Sequence, residues 1–258
     1  LQAGYGNDAG FNFVAGVTQN NLFGRGQDVS LQASWASSKA MNIDLGFTDP
    51  KIFDSDWLFG TNLFWSRRRI GPSADADYTY FQDSKGVSFR LGQEVAEYWL
   101  LASKYRFTNT QLRDAINPAI FSRPEDQDTL ISSVALDLSY DTRNNRLDPS
   151  KGFYFYTDVE AAGIGGRVFQ QFEASARFYQ RVVWKLVYRT RLEVGYITNF
   201  FDPGNVPDSE RYILGGVGSL RGYNGGSIGT VKRLKGTRSG SNPDEKPYVI
   251  GGTQKIIF

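Results

Sequence analysis

Composition limits what this chain can be. It has 258 residues with no cysteine and no histidine, and 15% of its residues are aromatic. The missing residue types exclude disulfides, thiolate metal sites and catalysis by cysteine or histidine. The 29 basic and 27 acidic residues give a net charge of +2, and the basic run at 67–69 falls in a predicted loop, so no nucleic-acid partner is expected. We expect an all-β protein that is not an enzyme and uses no cofactor or metal ion.

The predicted elements are β-strands in which apolar and polar side chains alternate. Residues 29–35 and 41–48 show this period-2 pattern without a fault, which indicates strands with one apolar face. The same pattern predicts eleven strands and the start of a twelfth, at 1–6, 11–19, 29–35, 41–48, 57–67, 86–93, 98–107, 130–140, 153–161, 169–180, 182–198 and 249–258.

The longest predicted strand, from Val182 to Thr198, indicates a membrane protein. Its even-numbered positions are mainly apolar or aromatic, whereas its odd-numbered positions include Arg189, Arg191 and Glu193. Strands of soluble sandwiches span about 5–6 residues, but a tilted membrane strand needs about 9–11. We therefore expect the even-numbered side chains to face lipid and the odd-numbered ones to face the lumen of a barrel. Such strands escape hydropathy averages because only every second side chain meets lipid.

The predicted connections form two sets that alternate along the chain. One set consists of short turns at 20–27, 49–56, 93–97, 142–151 and around Arg181; the other consists of the long loops 68–85, 108–128 and 201–248 and the short loops 7–10, 36–40 and 163–167. This alternation is typical of outer-membrane barrels, whose periplasmic turns are short. Trp57, Trp99 and Trp184 all lie beside short turns, where an aromatic girdle would meet the membrane interface.

One arginine lies inside a glycine-rich stretch of the longest loop, at residues 212–223. The stretch resembles the signature loop of BamA-type outer-membrane assembly factors, in which a tetrad of Val, Ile or Leu, then Arg, Gly, and Phe or Tyr folds into the barrel lumen. The tetrad residues here are Leu220, Arg221, Gly222 and Tyr223, and the supporting glycines are Gly215, Gly216 and Gly218. The resemblance implies that Arg221 points into the lumen and pairs with acidic wall residues encoded beyond Phe258, while the glycines let the backbone pack closely.

Two further segments carry the same resemblance. Residues 10–26 are similar to the family's second strand and first periplasmic turn. Residues 139–152 are similar to its recurring turn of the form Tyr-Asp-x-Arg followed by Pro-x-x-Gly, with the motif residues Tyr140, Asp141, Arg143, Pro149 and Gly152. In such a turn we expect the aspartate to accept backbone N–H groups, the proline to fix φ, and the glycine to permit a positive φ.

The resemblance also implies an architecture. Members have a transmembrane antiparallel β-barrel of sixteen strands, so residues 1–258 are predicted to be a single partial barrel domain that includes the lumen-directed loop 201–248. Periplasmic POTRA domains would precede Leu1, and a closing strand would follow Phe258. The implied location is the outer membrane of a Gram-negative bacterium, or an equivalent organelle outer membrane.

The implied function is the assembly and insertion of other β-barrel proteins by lateral opening between the first and last strands. The exposed edge of the first strand would template a client strand; this gate strand consists of Leu1, Gln2, Ala3, Gly4, Tyr5 and Gly6. The expected partners are client outer-membrane barrels, membrane lipid, accessory lipoproteins and periplasmic chaperones. A polypeptide-secreting transporter of the same superfamily and a diffusion porin stay open as alternatives. For the two gate-strand glycines, a frayed terminus is the alternative to a weakened strand.

Overall fold

In the described part of the chain, twelve antiparallel strands form one sheet, and the first eleven of them are neighbours in space in their sequence order. The strands of this sheet are β1 (Gln2–Gly6), β2 (Gly10–Leu22), β3 (Gln27–Ala36), β4 (Met41–Asp49), β5 (Trp57–Ile70), β6 (Tyr80–Ala96), β7 (Trp99–Arg113), β8 (Asp128–Asp141), β9 (Gly152–Ala162), β10 (Phe169–Val183), β11 (Leu186–Thr198) and β14 (Gln254–Ile257). Two short strands, β12 (Val231–Lys232) and β13 (Tyr248–Val249), pair with each other outside it. Short 3-10 helices cover Ile52–Asp54 and Asp208–Glu210.

This computed structural model describes most of the chain, namely residues 1–6, 10–37, 39–70, 80–113, 127–216, 219–223, 226–232, 248–249 and 251–258. No helix in the described ranges is long and apolar enough to cross a membrane. The predicted all-β fold with antiparallel strands is confirmed, and the strand count of the sheet agrees with the eleven strands and partial twelfth that the alternation indicates.

The two faces of the sheet differ in chemistry. On β11, Leu192 and Tyr196 each keep 45% of their surface exposed, whereas Ile197 is fully buried against the chain that follows β11. Residues paired across strands share a face, so Phe172 beside Tyr196, and Val159 beside Phe172, continue the exposed side. This outer face is rich in large apolar side chains, among them Leu45, Leu63, Trp65, Phe89, Leu91, Leu101, Phe107, Val134, Leu136 and Phe178. It is the surface that a membrane barrel presents to lipid.

Strands β5, β6 and β7 extend further than the alternation predicts. Parts of the predicted loops 68–85 and 108–128 are therefore strand. Arg67 on β5 forms two hydrogen bonds of 2.6 Å with Asp83 on β6, so a charged cross-strand pair lies within a segment that was predicted to be a polar loop. The backbone pairing of β5 with β6 continues as far as Ile70 opposite Tyr80, beyond the end of the regular alternation of apolar and polar residues.

The predicted strand 182–198 is wrong in its first residues. Val182 and Val183 end β10, and the chain turns at Trp184–Lys185, not around Arg181. Trp184 has a φ of 48°, a conformation that hairpin turns usually assign to glycine or asparagine. No such residue marks the turn, so the sequence pattern continues through it. At the other end of the chain, only Gln254–Ile257 of the predicted strand 249–258 pairs with β11.

A small apolar cluster lies between the inner face and the segment after β11. Its members come from β8 to β11 and from the following loop: Ile131, Ala162, Phe169, Ile197 and Val206, with Tyr212 packed against them. Phe169, Ile131 and Ile197 have no exposed surface, and burial of each such side chain contributes roughly 1.5–3 kcal/mol. The cluster therefore packs the start of the long loop onto the inner wall.

Candidate functional site

The loop after β11 is fastened to the inner wall through a stretch that we call the anchor segment, residues 205–214. Val206 contributes to the apolar cluster. Its carbonyl accepts hydrogen bonds from the guanidinium of Arg211, which also pairs with Asp208 at 3.1 Å. These contacts hold together the short 3-10 helix that also carries Glu210.

An ion-pair triad joins the anchor segment to the wall. Arg106 of β7 lies 2.6 Å from Glu160 of β9 and 3.2 Å from Glu210 of the anchor segment. The three side chains keep only 20%, 13% and 14% of their surface exposed, in that order. Ser133 of β8 donates a hydrogen bond to Glu160. The triad thus connects three neighbouring strands with the loop, through charge-assisted hydrogen bonds that are stronger than neutral ones.

Tyr212 makes the second connection between the anchor segment and the wall. Its hydroxyl accepts a hydrogen bond of 3.0 Å from Gln171 of β10. The ammonium of Lys255 lies 4.7 Å from the centre of its ring and pairs with Glu173 at 2.7 Å. Beneath the ring lies Gly195, where a Cβ atom would come within 2.7 Å of the Tyr212 hydroxyl oxygen. The wall therefore leaves room for this tyrosine by having no side chain at that position.

Two isolated bridges form the base of the loop that carries the tetrad. Tyr212 exchanges both backbone hydrogen bonds with Gly252, and Leu214 does the same with Ile228, at 2.8–2.9 Å. Above them, the N–H of Gly216 donates to the carbonyl of Tyr223 at 3.0 Å. The tetrad therefore lies in a loop whose two ends are joined by backbone hydrogen bonds, and the first of these ends belongs to the anchor segment.

The tetrad itself, Leu220 to Tyr223, is largely exposed. Among the residues that the structure describes, Arg221 forms no ion pair or side-chain hydrogen bond, and its pairing with residues beyond Phe258 stays a prediction. Gly222 has a φ of 95° with no described atom near its missing side chain, so conformation and not close packing requires glycine there. The supporting glycines 215 and 216 also have positive φ values, of 115° and 92°, while Gly218 lies outside the described residues.

The predicted gate strand forms β1 from Gln2 onward, at one edge of the sheet. Residues 1–5 are exposed, and the five residues of β1 pair with β2, from Gln2 opposite Val14 to Gly6 opposite Gly10. At Gly4, a Cβ atom would lie 2.6 Å from the side-chain oxygen of Asn12. This contact is with the far end of a flexible side chain and does not by itself require glycine, so the weakened strand and the frayed terminus both stay predictions.

The turn motif lies at the end of the sheet opposite the tetrad loop, between β8 and β9. Asp141 accepts two side-chain hydrogen bonds of 2.9 Å from Arg143, and also one of 3.2 Å from the backbone N–H of Arg143, as expected for this aspartate. The side-chain bond to Asp141 raises the pKa of the Arg143 guanidinium above its ordinary value. Gly152 has a φ of 118°, and a Cβ atom there would clash with the carbonyl oxygen of Thr142. The motif therefore closes a tight turn and lies apart from the tetrad.

Sequence reasoning missed the residues that hold the loop: Arg106, Glu160, Glu210, Tyr212, Glu173 and Lys255. The alternation in β7 does place Arg106 on the polar face, opposite the apolar Tyr105 and Phe107. The alternation does not indicate which acidic side chains Arg106 contacts, because Glu160 and Glu210 lie 54 and 104 residues away from it in sequence. Within the described ranges, no group of three or more His, Cys, Asp or Glu side chains is arranged to hold a metal ion.

Comparisons with known proteins identify relatives along nearly the whole chain. The profile of the Omp85 superfamily domain matches residues 21–258. The outer membrane protein assembly factor BamA of Nitratidesulfovibrio vulgaris is 31% identical over 247 residues, which cover 93% of this chain and 30% of that protein. A sorting and assembly machinery component 50 homolog of Xenopus tropicalis is 27% identical over 237 residues, covering 87% of this chain and 47% of its own length.

A solved structure has the same fold. BamA from Haemophilus ducreyi lacking POTRA domains 1–3 superposes with a TM-score of 0.79 at 23% identity, over 98% of this chain and 50% of that chain. The predicted resemblance to BamA-type barrels is confirmed by these matches, and the chain spans half or less of the length of the proteins it matches.

Proposed function

Because this chain belongs to the Omp85 superfamily, we propose that it is the barrel part of an outer-membrane assembly factor that folds and inserts other β-barrel proteins. The observation that carries the proposal is the similarity to an outer membrane protein assembly factor over 93% of the chain. The apolar outer face of the sheet suits the outer membrane, which is the location of the protein. In this function the barrel performs no covalent chemistry.

The mechanism that we propose uses the edge of β1. A strand at a sheet edge has one row of backbone N–H and C=O groups available to another strand, so a client strand can add to it by β-augmentation. Backbone hydrogen bonds supply most of the affinity in this mode, and many client sequences are consequently accepted. The clients are outer-membrane β-barrel proteins; accessory lipoproteins and periplasmic chaperones are further proposed partners.

Disulfide trapping tests this mechanism, because the chain contains no cysteine. A single cysteine replaces Ala3 or Tyr5 of β1 in the full-length protein, freed of cysteine elsewhere, and a stalled client carries cysteines along its terminal strand. We expect a ladder of crosslinks that shifts in register by two residues between the two positions, as strand pairing requires. A cysteine at Leu45, which lies on the outer face of the interior strand β4, is the matched control and should trap no client. Trapping only to the protein's own closing strand, with clients folding normally, would refute templating by β1.

A further inference from the structure

We propose that Arg106 is a positioning residue that latches the tetrad loop to the barrel wall through Glu210, and that Glu160 holds Arg106 in place. The three side chains come from β7, β9 and the anchor segment, and the two contacts measure 2.6 and 3.2 Å. The latch differs from the expected pairing of Arg221, because it acts upstream of the tetrad and uses partners that lie within this chain.

The charge arrangement explains why Arg106 is central to the latch. One guanidinium lies between two carboxylates, and among the described residues neither Glu160 nor Glu210 has another ion-pair partner. Removal of Arg106 leaves two neighbouring carboxylates that repel each other in a partly dry environment. Removal of the charge at position 210 leaves the pair between Arg106 and Glu160 intact, so it releases the loop and preserves the wall.

The latch can set the position of the tetrad because the intervening chain is paired. Glu210 lies two residues before Tyr212, whose backbone exchanges both hydrogen bonds with Gly252. Leu214 pairs in the same way with Ile228 and forms the base of the tetrad loop. A shift of the 3-10 helix at Glu210 therefore moves this base, and the base carries residues 220–223 with it.

The functional meaning of the latch rests on the proposed assembly function. Arg106 belongs to the middle of the sheet, on β7, whereas the proposed client contact is at the edge strand β1. The loop is thus attached to a part of the sheet that is distant from the edge of β1, where a client strand would add. We expect this attachment to keep the tetrad in place while the seam opens.

A cysteine reporter at Ser209 measures whether the latch is closed. Ser209 belongs to the 3-10 helix and is partly buried, and Ser209→Cys is a nearly isosteric change in a chain without other cysteines. The reaction rate of this thiol with a small neutral alkylating reagent reports local opening of the anchor segment. The full-length protein, freed of cysteine elsewhere, is reconstituted in phospholipid vesicles for the measurement.

We expect Glu210→Gln to accelerate alkylation roughly tenfold, since a partly buried charge-assisted contact is lost. Arg106→Glu places three carboxylates together and should open the segment further. The double variant Arg106→Glu with Glu210→Arg again places one cation between two carboxylates, so it should return the rate towards that of the parent. This rescue separates the latch from a general loss of packing.

Glu193→Gln is the matched control for the charge change. Glu193 also lies on the inner wall, is also 14% exposed and pairs with Arg177 and Arg191 rather than with the anchor segment. Its variant should alkylate at the parental rate. Unchanged rates in both Glu210→Gln and Arg106→Glu, in barrels that still show the folded mobility of unheated samples on gels, would overturn the latch.

Client assembly is measured separately in the same variants. The variants could open the latch in the alkylation assay and yet leave client insertion unchanged. That result would show that the latch holds the loop but has no role in assembly. Failure of the β1 crosslinking experiment would instead count against the proposed function, and it leaves the alkylation result unaffected.

Discussion

At the residue scale, several glycines of this protein are explained by what lies opposite their missing side chains. A Cβ atom would come within 3 Å of Tyr212 at Gly195, of Asn12 at Gly4 and of the Thr142 backbone at Gly152. Gly222 is different, because its φ of 95° is the constraint. Glycine thus has different reasons at these positions: Tyr212 lies close at Gly195, a close backbone and a φ of 118° combine at Gly152, and backbone conformation alone requires glycine at Gly222.

Substitution at Gly195 should loosen the attachment of the loop. In Gly195→Ala, the new methyl group would lie 2.7 Å from the Tyr212 hydroxyl oxygen and 3.0 Å from Cε of Lys255. Tyr212 must then move off the wall, and we expect a loss of about 1–3 kcal/mol, as is typical of overpacking. Heat unfolding of the reconstituted protein, followed by gel mobility, measures the change.

Gly16→Ala is the control for this prediction. Gly16 is also an interior strand glycine, but the nearest atom to its added methyl group would be 3.5 Å away, an ordinary contact. Equal unfolding temperatures for the two variants would show that the contact with Tyr212 does not determine the effect.

The charge of Arg221 belongs to the same scale. We predict that Arg221→Glu impairs assembly and makes the tetrad loop more sensitive to protease, because a carboxylate would face the acidic wall residues that the family resemblance implies. The matched control is Arg25→Glu, in the exposed turn between β2 and β3. Normal levels of outer-membrane proteins together with unchanged loop cleavage in Arg221→Glu would contradict this role.

At the element scale, β11 shows how one strand separates lipid from lumen. Leu192 and Tyr196 are exposed on the outer face, whereas Glu193 pairs with Arg177 and Arg191 on the inner face. A slip by one residue would exchange the two faces and place basic side chains in hydrocarbon, at roughly 2–4 kcal/mol for each one near the midplane.

Spin labels test this orientation. A nitroxide at Leu192 should be reached by a lipid-soluble quencher, and a nitroxide at Arg191 should not. Each labelled position serves as the control for the other, because the two residues are adjacent on one strand and lie at nearly the same depth. Equal or reversed accessibility would exclude the orientation described for β11.

At the scale of the whole molecule, the sheet provides a continuous wall, and its inner face supports the long loop that follows β11. Consecutive hairpins build the wall from β1 to β11, while β14 returns after the loop to pair with β11. The loop therefore begins at the end of β11 and ends at the strand that pairs with β11. Its anchor segment contacts β7 and β10 directly and is joined to β9 through Arg106, so the loop is attached across several strands rather than along one hairpin.

The sequence by itself determined the number of strands in the sheet, the apolar face of β11, the fold class and the resemblance carried by Leu220–Tyr223. These features are local, because alternation with a period of two and a short motif can be read within a few residues. The tertiary structure alone decided the hairpin turn at Trp184, which no turn residue marks, and the triad of Arg106, Glu160 and Glu210. Those contacts span 54 and 104 residues, and they depend on the register summed over several strands and on the path of the loop, neither of which has a local pattern in the sequence.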